Sequence, residues 1–129
     1  MNPITSDSAP AAIGPYSQAM STNSKLIFCS GQLPLVPQTM EVIEGGVREQ
    51  TEQILSNIEV VLQEAGLELS AIVKSTVFLT DMADFAEMNE VYTARLGEHK
   101  PARSTIQVAA LPMGDKGVRL EIEVIAEAV

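Results

Sequence analysis

The feature that most constrains this chain is a change of hydrophobic period along its length. In the last element, Val118 to Val129, the residues Val118, Leu120, Ile122, Val124 and Ala126 fall on one face, with Arg119, Glu121, Glu123 and Glu127 on the other. That is the alternation of a strand with one buried side. After Gly45-Gly46 the spacing becomes helical. Val47, Ile54, Leu55, Ile58, Val61, Leu62 and Ala65 form an apolar stripe opposite Arg48, Glu49, Glu52, Gln53, Glu59 and Gln63, and Gly66 is placed to cap the end. A chain carrying both periods has to lay helices on a sheet.

The remaining segments fit that scheme. Ile72 to Leu79 reads as a central strand, with Val73, Val77 and Leu79 on one side and Lys74, Thr76 and Phe78 on the other. Asp81 is suited to cap a second helix with Asp84 in its first turn, an apolar stripe of Phe85, Met88, Tyr92 and Leu96, and Gly97 at its end. Toward the N-terminus, Ile13-Gly14-Pro15 is a turn signal, Tyr16 to Met20 reads as a short strand, and Lys25 to Ser30 as a longer one. The prolines of Pro34 to Ile43 confine that stretch to a sheet edge or a loop. With a further strand from Arg103 to Val108, the order βββαβαββ predicts an α+β fold whose two helices cover one face of the sheet. Phe78 and Ile125 on the reverse face predict that this face is partly covered as well, which self-association would achieve.

Composition narrows the function. A length of 129 residues predicts one domain, residues 1–129, able to bury a core without disulfides or a structural metal. Net charge −9, with no Trp, three Phe and two Tyr, argues against a nucleic-acid partner, because phosphates are repelled and stacking platforms are scarce. The single cysteine, Cys29, sits in an apolar run and reads as a buried hydrophobe in a reducing compartment. Met1 to Ala11 has neither a basic start nor an apolar stretch, and no run approaches the roughly 20 apolar residues of a membrane span. The expectation is a soluble cytoplasmic protein.

Candidate chemistry gathers at Pro101-Ala102-Arg103-Ser104-Thr105. Strand alternation points Arg103, Thr105 and Gln107 to one face and Ser104, Ile106 and Val108 to the other. A guanidinium fork held beside small polar groups suits the carboxylate of a small acid, and a salt bridge to one of the 17 acidic residues is the competing reading. Gly31 directly after Ser30 marks a place where another group approaches the backbone. Tyr16 is either a core-edge filler or a hydroxyl donor. With the lone His99 reading as a loop residue, and no CxxC, HExxH, P-loop or dinucleotide fingerprint, triads, zinc sites and nucleotide sites find little support. A site lined by Arg103, Thr105 and Glu121 is expected between subunits.

Five blocks in order carry a resemblance: Gly14-Pro15-Tyr16-Ser17-Gln18-Ala19, Cys29-Ser30-Gly31-Gln32-Leu33-Pro34, Thr80-Asp81-Met82 with Asp84-Phe85 and Met88-Asn89, Pro101-Ala102-Arg103-Ser104-Thr105, and Leu120-Glu121-Ile122-Glu123. Together they span nearly the whole chain, which resembles the RidA/YjgF family of imine deaminases. The resemblance implies a chorismate-mutase-like sheet of mixed strands with two helices on one face, assembled as a homotrimer with its sites between neighbouring subunits. It implies hydrolysis of 2-imino or enamine acids such as 2-aminoacrylate, 2-iminopropanoate and 2-iminobutanoate to 2-keto acids and ammonia. These substrates are released by pyridoxal-phosphate enzymes, and the domain itself would use no cofactor. Carried over by position, Arg103 would pair with the substrate carboxylate, Gly31 and Thr105 would offer backbone groups to the imine end, and Ser30 and Tyr16 would shape the pocket. Glu121 would position the attacking water, and Asn89 would support from the second helix.

Some residues depart from the family's pattern. The connection from Pro112 to Leu120 looks about three residues longer than usual, an excess that a hairpin tip would absorb. Placed inside the strand instead, those residues would shift its register and make Glu123 the competitor of Glu121. Met40 stands where a turn glycine is frequent, so the turn must avoid a positive φ or carry strain. Leu96 replaces a frequent aromatic and would reshape the pocket. Two readings compete with the deaminase: a non-catalytic trimer that binds small keto acids or a protein partner, and an RNA-directed activity that the charge opposes.

Overall fold

The computed structural model describes residues 1–128. In chain order its elements are β1 (Asn2–Ile4), β2 (Ala19–Ser21), β3 (Leu26–Gln32), β4 (Leu35–Val36), β5 (Glu41–Val42), α1 (Val47–Glu64), β6 (Ile72–Leu79), α2 (Phe85–Leu96), β7 (Ala102–Gln107) and β8 (Leu120–Glu127). Six strands form one sheet in the order β1-β2-β3-β8-β6-β7, and β4 pairs with β5 separately. Only β6 and β7 run parallel in the large sheet. A parallel pair needs a crossover, which α2 supplies. The result is the predicted α+β architecture, a mixed sheet with two helices.

The core lies between the sheet and the helices. Val77, Leu79, Leu120, Ile122 and Ala126 from the strands meet Ile54, Leu55, Ile58, Leu62 and Met88 from the helices, each almost fully buried. Each of the Val, Leu, Ile and Met side chains contributes about 1.5–3 kcal/mol relative to an exposed one, and Ala126 less. Both helices end where their glycines are placed. At α1, Gly66 takes φ +75° while the Leu67 N–H bonds back to the Leu62 carbonyl at 2.9 Å. Asp81 accepts from the Ala83 N–H at 2.9 Å and caps a 3₁₀ turn, Met82–Asp84, that leads into α2. Among the described residues no helix covers the reverse face of the sheet, and Phe28 and Ile106 there are each 43% exposed.

The fold departs from the sequence reading in several places, among them the last strand, which begins at Leu120 and not at Val118. Strand β1 was not predicted. The second strand begins at Ala19, not Tyr16, because the residues before it are tied down by side-chain bonds in place of a ladder. Strand β3 runs on past Ser30 to Gln32 through a register shift against β8. Val73 does not share a face with Val77 and Leu79, because a second register shift between Ile72 and Lys74 buries Ile72 and turns Val73 outward. The connection before β8 is not a hairpin, since β6 lies between β7 and β8. It holds a 3₁₀ turn at Gly114–Lys116, and the extra length stays outside the strand. Met40 does take a positive φ, +60°, so its turn carries the strain foreseen for a side chain there. Val129, placed in the last strand by its alternation, lies outside the described residues.

Candidate active site

Arg103 sits on β7, an edge strand of the large sheet. Its register, Arg103 opposite Ser75 and Thr105 opposite Val77, directs both side chains to the helix side of the sheet. There the Arg103 Nη1 donates to Asn89 Oδ1 at 2.7 Å, and the guanidinium lies 4.8 Å from the Tyr92 ring centre and 5.6 Å from that of Phe85. Tyr92 is itself fixed by a 2.6 Å hydrogen bond between its hydroxyl and that of Ser75. Among the described residues no carboxylate lies within ion-pair distance of Arg103. Asn89 Oδ1 is the one acceptor its five N–H donors meet among the described residues. A cavity of about 320 Å³ adjoins it, lined by Asn89, Tyr92, Leu96, His99 and Arg103. His99 is a loop residue whose Nε2 sits 2.7 Å from the Ile72 carbonyl. The buried Thr105 hydroxyl has no hydrogen-bond partner among the described residues.

Glu121 belongs to a second cavity. Between Cys29 and Gln32 three steps along β3 match two along β8, a bulge that brings Gly31 against Glu121. A Cβ at Gly31 would stand 2.6 Å from Glu121 Oε2 and 2.8 Å from its Cδ, so only glycine admits this approach. Burial raises the Glu121 carboxyl above its ordinary value, and the neighbouring Glu123 charge adds to the rise. The cavity measures about 400 Å³ and has Tyr16, Ser30, Gly31, Glu121, Ile13 and Met113 in its wall. Tyr16 is 48% exposed and is no core filler. The Ser30 hydroxyl donates to the Ser17 carbonyl at 2.6 Å, and the Ser30 N–H to that of Gln18 at 2.9 Å, which anchors the segment bearing Tyr16. Glu123 lies two residues on, opposite Thr76, in a separate groove with Lys74. Cys29 is buried and its thiol is pushed up to about 11, in keeping with a packing role.

Three buried amides that sequence reasoning passed over hold this second cavity together. Gln50 on α1 donates to the Gly117 carbonyl at 2.8 Å and accepts from the Arg119 N–H at 2.9 Å, fixing the start of β8. Asn57, two turns along α1, donates to the carbonyls of Leu33 and Leu35 at 3.3 and 2.9 Å and fixes the chain that leaves β3. Gln18 accepts from the Ser6 N–H at 2.6 Å and donates to the Pro10 carbonyl at 2.7 Å. The available signal was the seven-residue spacing of Gln50 and Asn57, which puts two amides on the same side of α1 as its apolar stripe.

The two cavities lie on different faces. Glu121 pairs with Phe78 and points to the reverse face, whereas Arg103, Thr105 and Asn89 gather on the helix side. One chain therefore holds Arg103, Asn89 and Thr105 together, and Tyr16, Ser30, Gly31 and Glu121 together, but not the two sets on one small molecule.

A mixed sheet with two helices and this divided polar apparatus defines a family of small α+β proteins. The family profile described as Endoribonuclease L-PSP matches residues 6–128. Protein DfrA of Myxococcus xanthus is 50% identical over 124 residues, covering 95% of this chain and 92% of that protein. A 2-iminobutanoate/2-iminopropanoate deaminase of Mus musculus is 46% identical over 123 residues, covering 95% and 88%. The crystal structure of Escherichia coli TdcF with bound serine superimposes with a TM-score of 0.91 at 45% identity, covering all of both chains. The chain belongs to the RidA/YjgF family. Proteins named as imine deaminases are among its relatives, and no helix among the described residues is long and apolar enough to cross a membrane.

Proposed function

We propose that this chain, as a single domain of residues 1–129, is an imine deaminase that hydrolyses small 2-imino acids to 2-keto acids and ammonia. It acts as a chorismate-mutase-like homotrimer whose sites form between subunits. The observation that carries this reading is Arg103: a guanidinium held by Asn89 and two aromatic rings, with no carboxylate partner among the described residues. The mouse relative's name specifies imino acids, and the serine bound to TdcF is a small molecule with a carboxylate.

In this mechanism the Arg103 fork binds the substrate carboxylate, with Asn89 keeping it in plane. The Glu121 of a neighbouring subunit accepts a proton from water as the water oxygen bonds to the imine carbon. Gly31 and Thr105 supply backbone groups at the nitrogen, and Ser30 and Tyr16 complete the wall. The proton then passes from Glu121 to nitrogen, the C–N bond breaks and ammonia leaves as the hydroxyl proton of the adduct returns to Glu121 and the carbonyl forms. An iminium carbon is already electrophilic, so orientation against one water supplies much of the acceleration. The raised Glu121 carboxyl is a better proton acceptor than an ordinary one. Such an enzyme would clear reactive imines beside pyridoxal-phosphate enzymes in the cytoplasm and needs no cofactor of its own.

The test couples a pyridoxal-phosphate serine dehydratase to this protein and follows imine decay. Wild type accelerates it, and a folded Arg103→Ala does not. Tight keto-acid binding without turnover would replace the enzyme with a binding module. RNA cleavage by a contaminant-free preparation would reopen the reading that net charge −9 opposes.

A further inference from the structure

The Glu121 cavity is two-sided. Glu121 meets Gly31 on its polar side, with Tyr16, Ser30 and Gln32 also in the lining, while Ile13, Leu33, Leu35 and Met113 supply apolar lining. At about 400 Å³ the cavity would hold roughly a dozen waters at ~30 Å³ each. A three-carbon imino acid uses little of that space. Ile13 is 72% exposed, so an aliphatic surface beside the site is left without a partner in the core.

Met113 is held there against its own backbone preference. It adopts φ +59° and ψ 24°, a left-handed conformation that glycine or asparagine takes more readily. Its carbonyl accepts from the N–H groups of Lys116 at 2.9 Å and Val118 at 3.3 Å, and the Gly114 N–H bonds the Leu111 carbonyl at 3.1 Å. The loop thus fixes the one position where the side chain is least expected, and that side chain is in the cavity wall. Methionine is unbranched and polarisable, suited to close on apolar groups of varied shape.

We infer that Met113, with Ile13, forms a side-chain subsite, and that the enzyme takes 2-imino acids with extended aliphatic side chains, the leucine-like class, in preference to the three-carbon acid. This rests on the deaminase reading. Burying one methylene is worth roughly fourfold in binding, so a half-open subsite yields about tenfold across the three extra carbons.

The experiment generates imino acids in place with an amino-acid oxidase acting on alanine, 2-aminobutyrate, norvaline and leucine, and measures kcat/KM for their loss. Wild type is expected to rise about tenfold from the alanine- to the leucine-derived imine. Met113→Ala and Met113→Gly, the second relieved of the backbone strain, are expected to lower the leucine-to-alanine ratio about fourfold or more. A kcat/KM that falls with chain length, or a ratio unchanged in both variants, overturns the inference. If no imine is turned over at all, calorimetry with pyruvate and 4-methyl-2-oxopentanoate separates the two ideas. Tighter binding of the longer acid, weakened in Met113→Ala, upholds the subsite without the enzyme, and equal affinity or no binding overturns it.

Discussion

The Arg103 cavity and the Glu121 cavity are built in opposite ways. Arg103, Asn89 and Tyr92 stand on a strand and a helix that cross-link through their own side chains, and the regular elements alone place them. Glu121 and Gly31 meet at a bulge, walled by loop residues such as Ile13 and Met113 and braced from α1 by Gln50 and Asn57. The first cavity is suited to hold an unchanging group, a carboxylate, and the second to vary with the rest of the substrate. Loops tolerate change where strands do not.

The largest expected effect tests whether the two halves serve one site. Arg103→Ala removes two charge-assisted hydrogen bonds at about 1.5–3 kcal/mol each, so kcat/KM should fall at least ~100-fold. Glu121→Gln should also be nearly inactive. If sites form between subunits, unfolding and refolding the two variants together in equal amounts restores about a quarter of the wild-type sites, since a random neighbour pair has that chance of combining an intact Arg103 with an intact Glu121. No recovery in refolded, assembled mixtures would show that the two residues do not share a site across an interface.

Next in size is Gly31→Ala. The new methyl would stand 2.6 Å from the Glu121 carboxylate and must displace it. Turnover should drop ~10- to 100-fold with a smaller change in KM, because a misplaced group costs chemistry more than carboxylate binding. An equal loss of affinity for a keto acid would instead mean that Gly31 contacts the carboxylate end.

Smaller again is Gln50→Ala, which leaves the Gly117 carbonyl and the Arg119 N–H without their partner. A stability loss of about 2 kcal/mol is expected in a denaturant titration, together with lower turnover as the start of β8 loosens. A matching change on the surface, Arg48→Ala, where an exposed guanidinium pairs with Glu87 and Glu90, should shift the denaturation midpoint little and leave turnover alone.

The same contrast explains what could be read from the sequence. Alternation on β7 put Arg103 and Thr105 on one face, helical spacing put Tyr92 on α2, the resemblance put Asn89 there, and the structure joins them without any long-range surprise. Alternation on β8 gave Glu121 its face correctly. It did not show that this face is the reverse one from Arg103, because that depends on β6 lying between β7 and β8, a fact of sheet order. Bulges were likewise hidden. Val73 was misplaced by the shift beside it, whereas Gly31 stood out only because glycine marks a close approach. The amides of Gln50 and Asn57 escaped because their partners are backbone groups of distant segments, which carry no side-chain signature.

The smallest effect bears on Glu121 against Glu123. Burial is the main cause of the raised Glu121 carboxyl and the Glu123 charge the lesser one. If Glu121 is the base, activity is lost on acidification at a pH above the ordinary carboxylate value. Glu123→Gln then moves that acid limb to lower pH without abolishing turnover; loss of turnover in Glu123→Gln would reverse the two roles. Stability gives an independent reading. Folded Glu121 holds its proton more tightly than the unfolded chain does, so its contribution to stability is full below the unfolded value and is lost as pH rises through the folded one. Glu121→Gln, which never ionises, should therefore melt higher than wild type at pH 7, with the gap closing below about pH 4. A gap that persists in acid would place the strain in the crowding of Glu121 against Gly31, not in its charge.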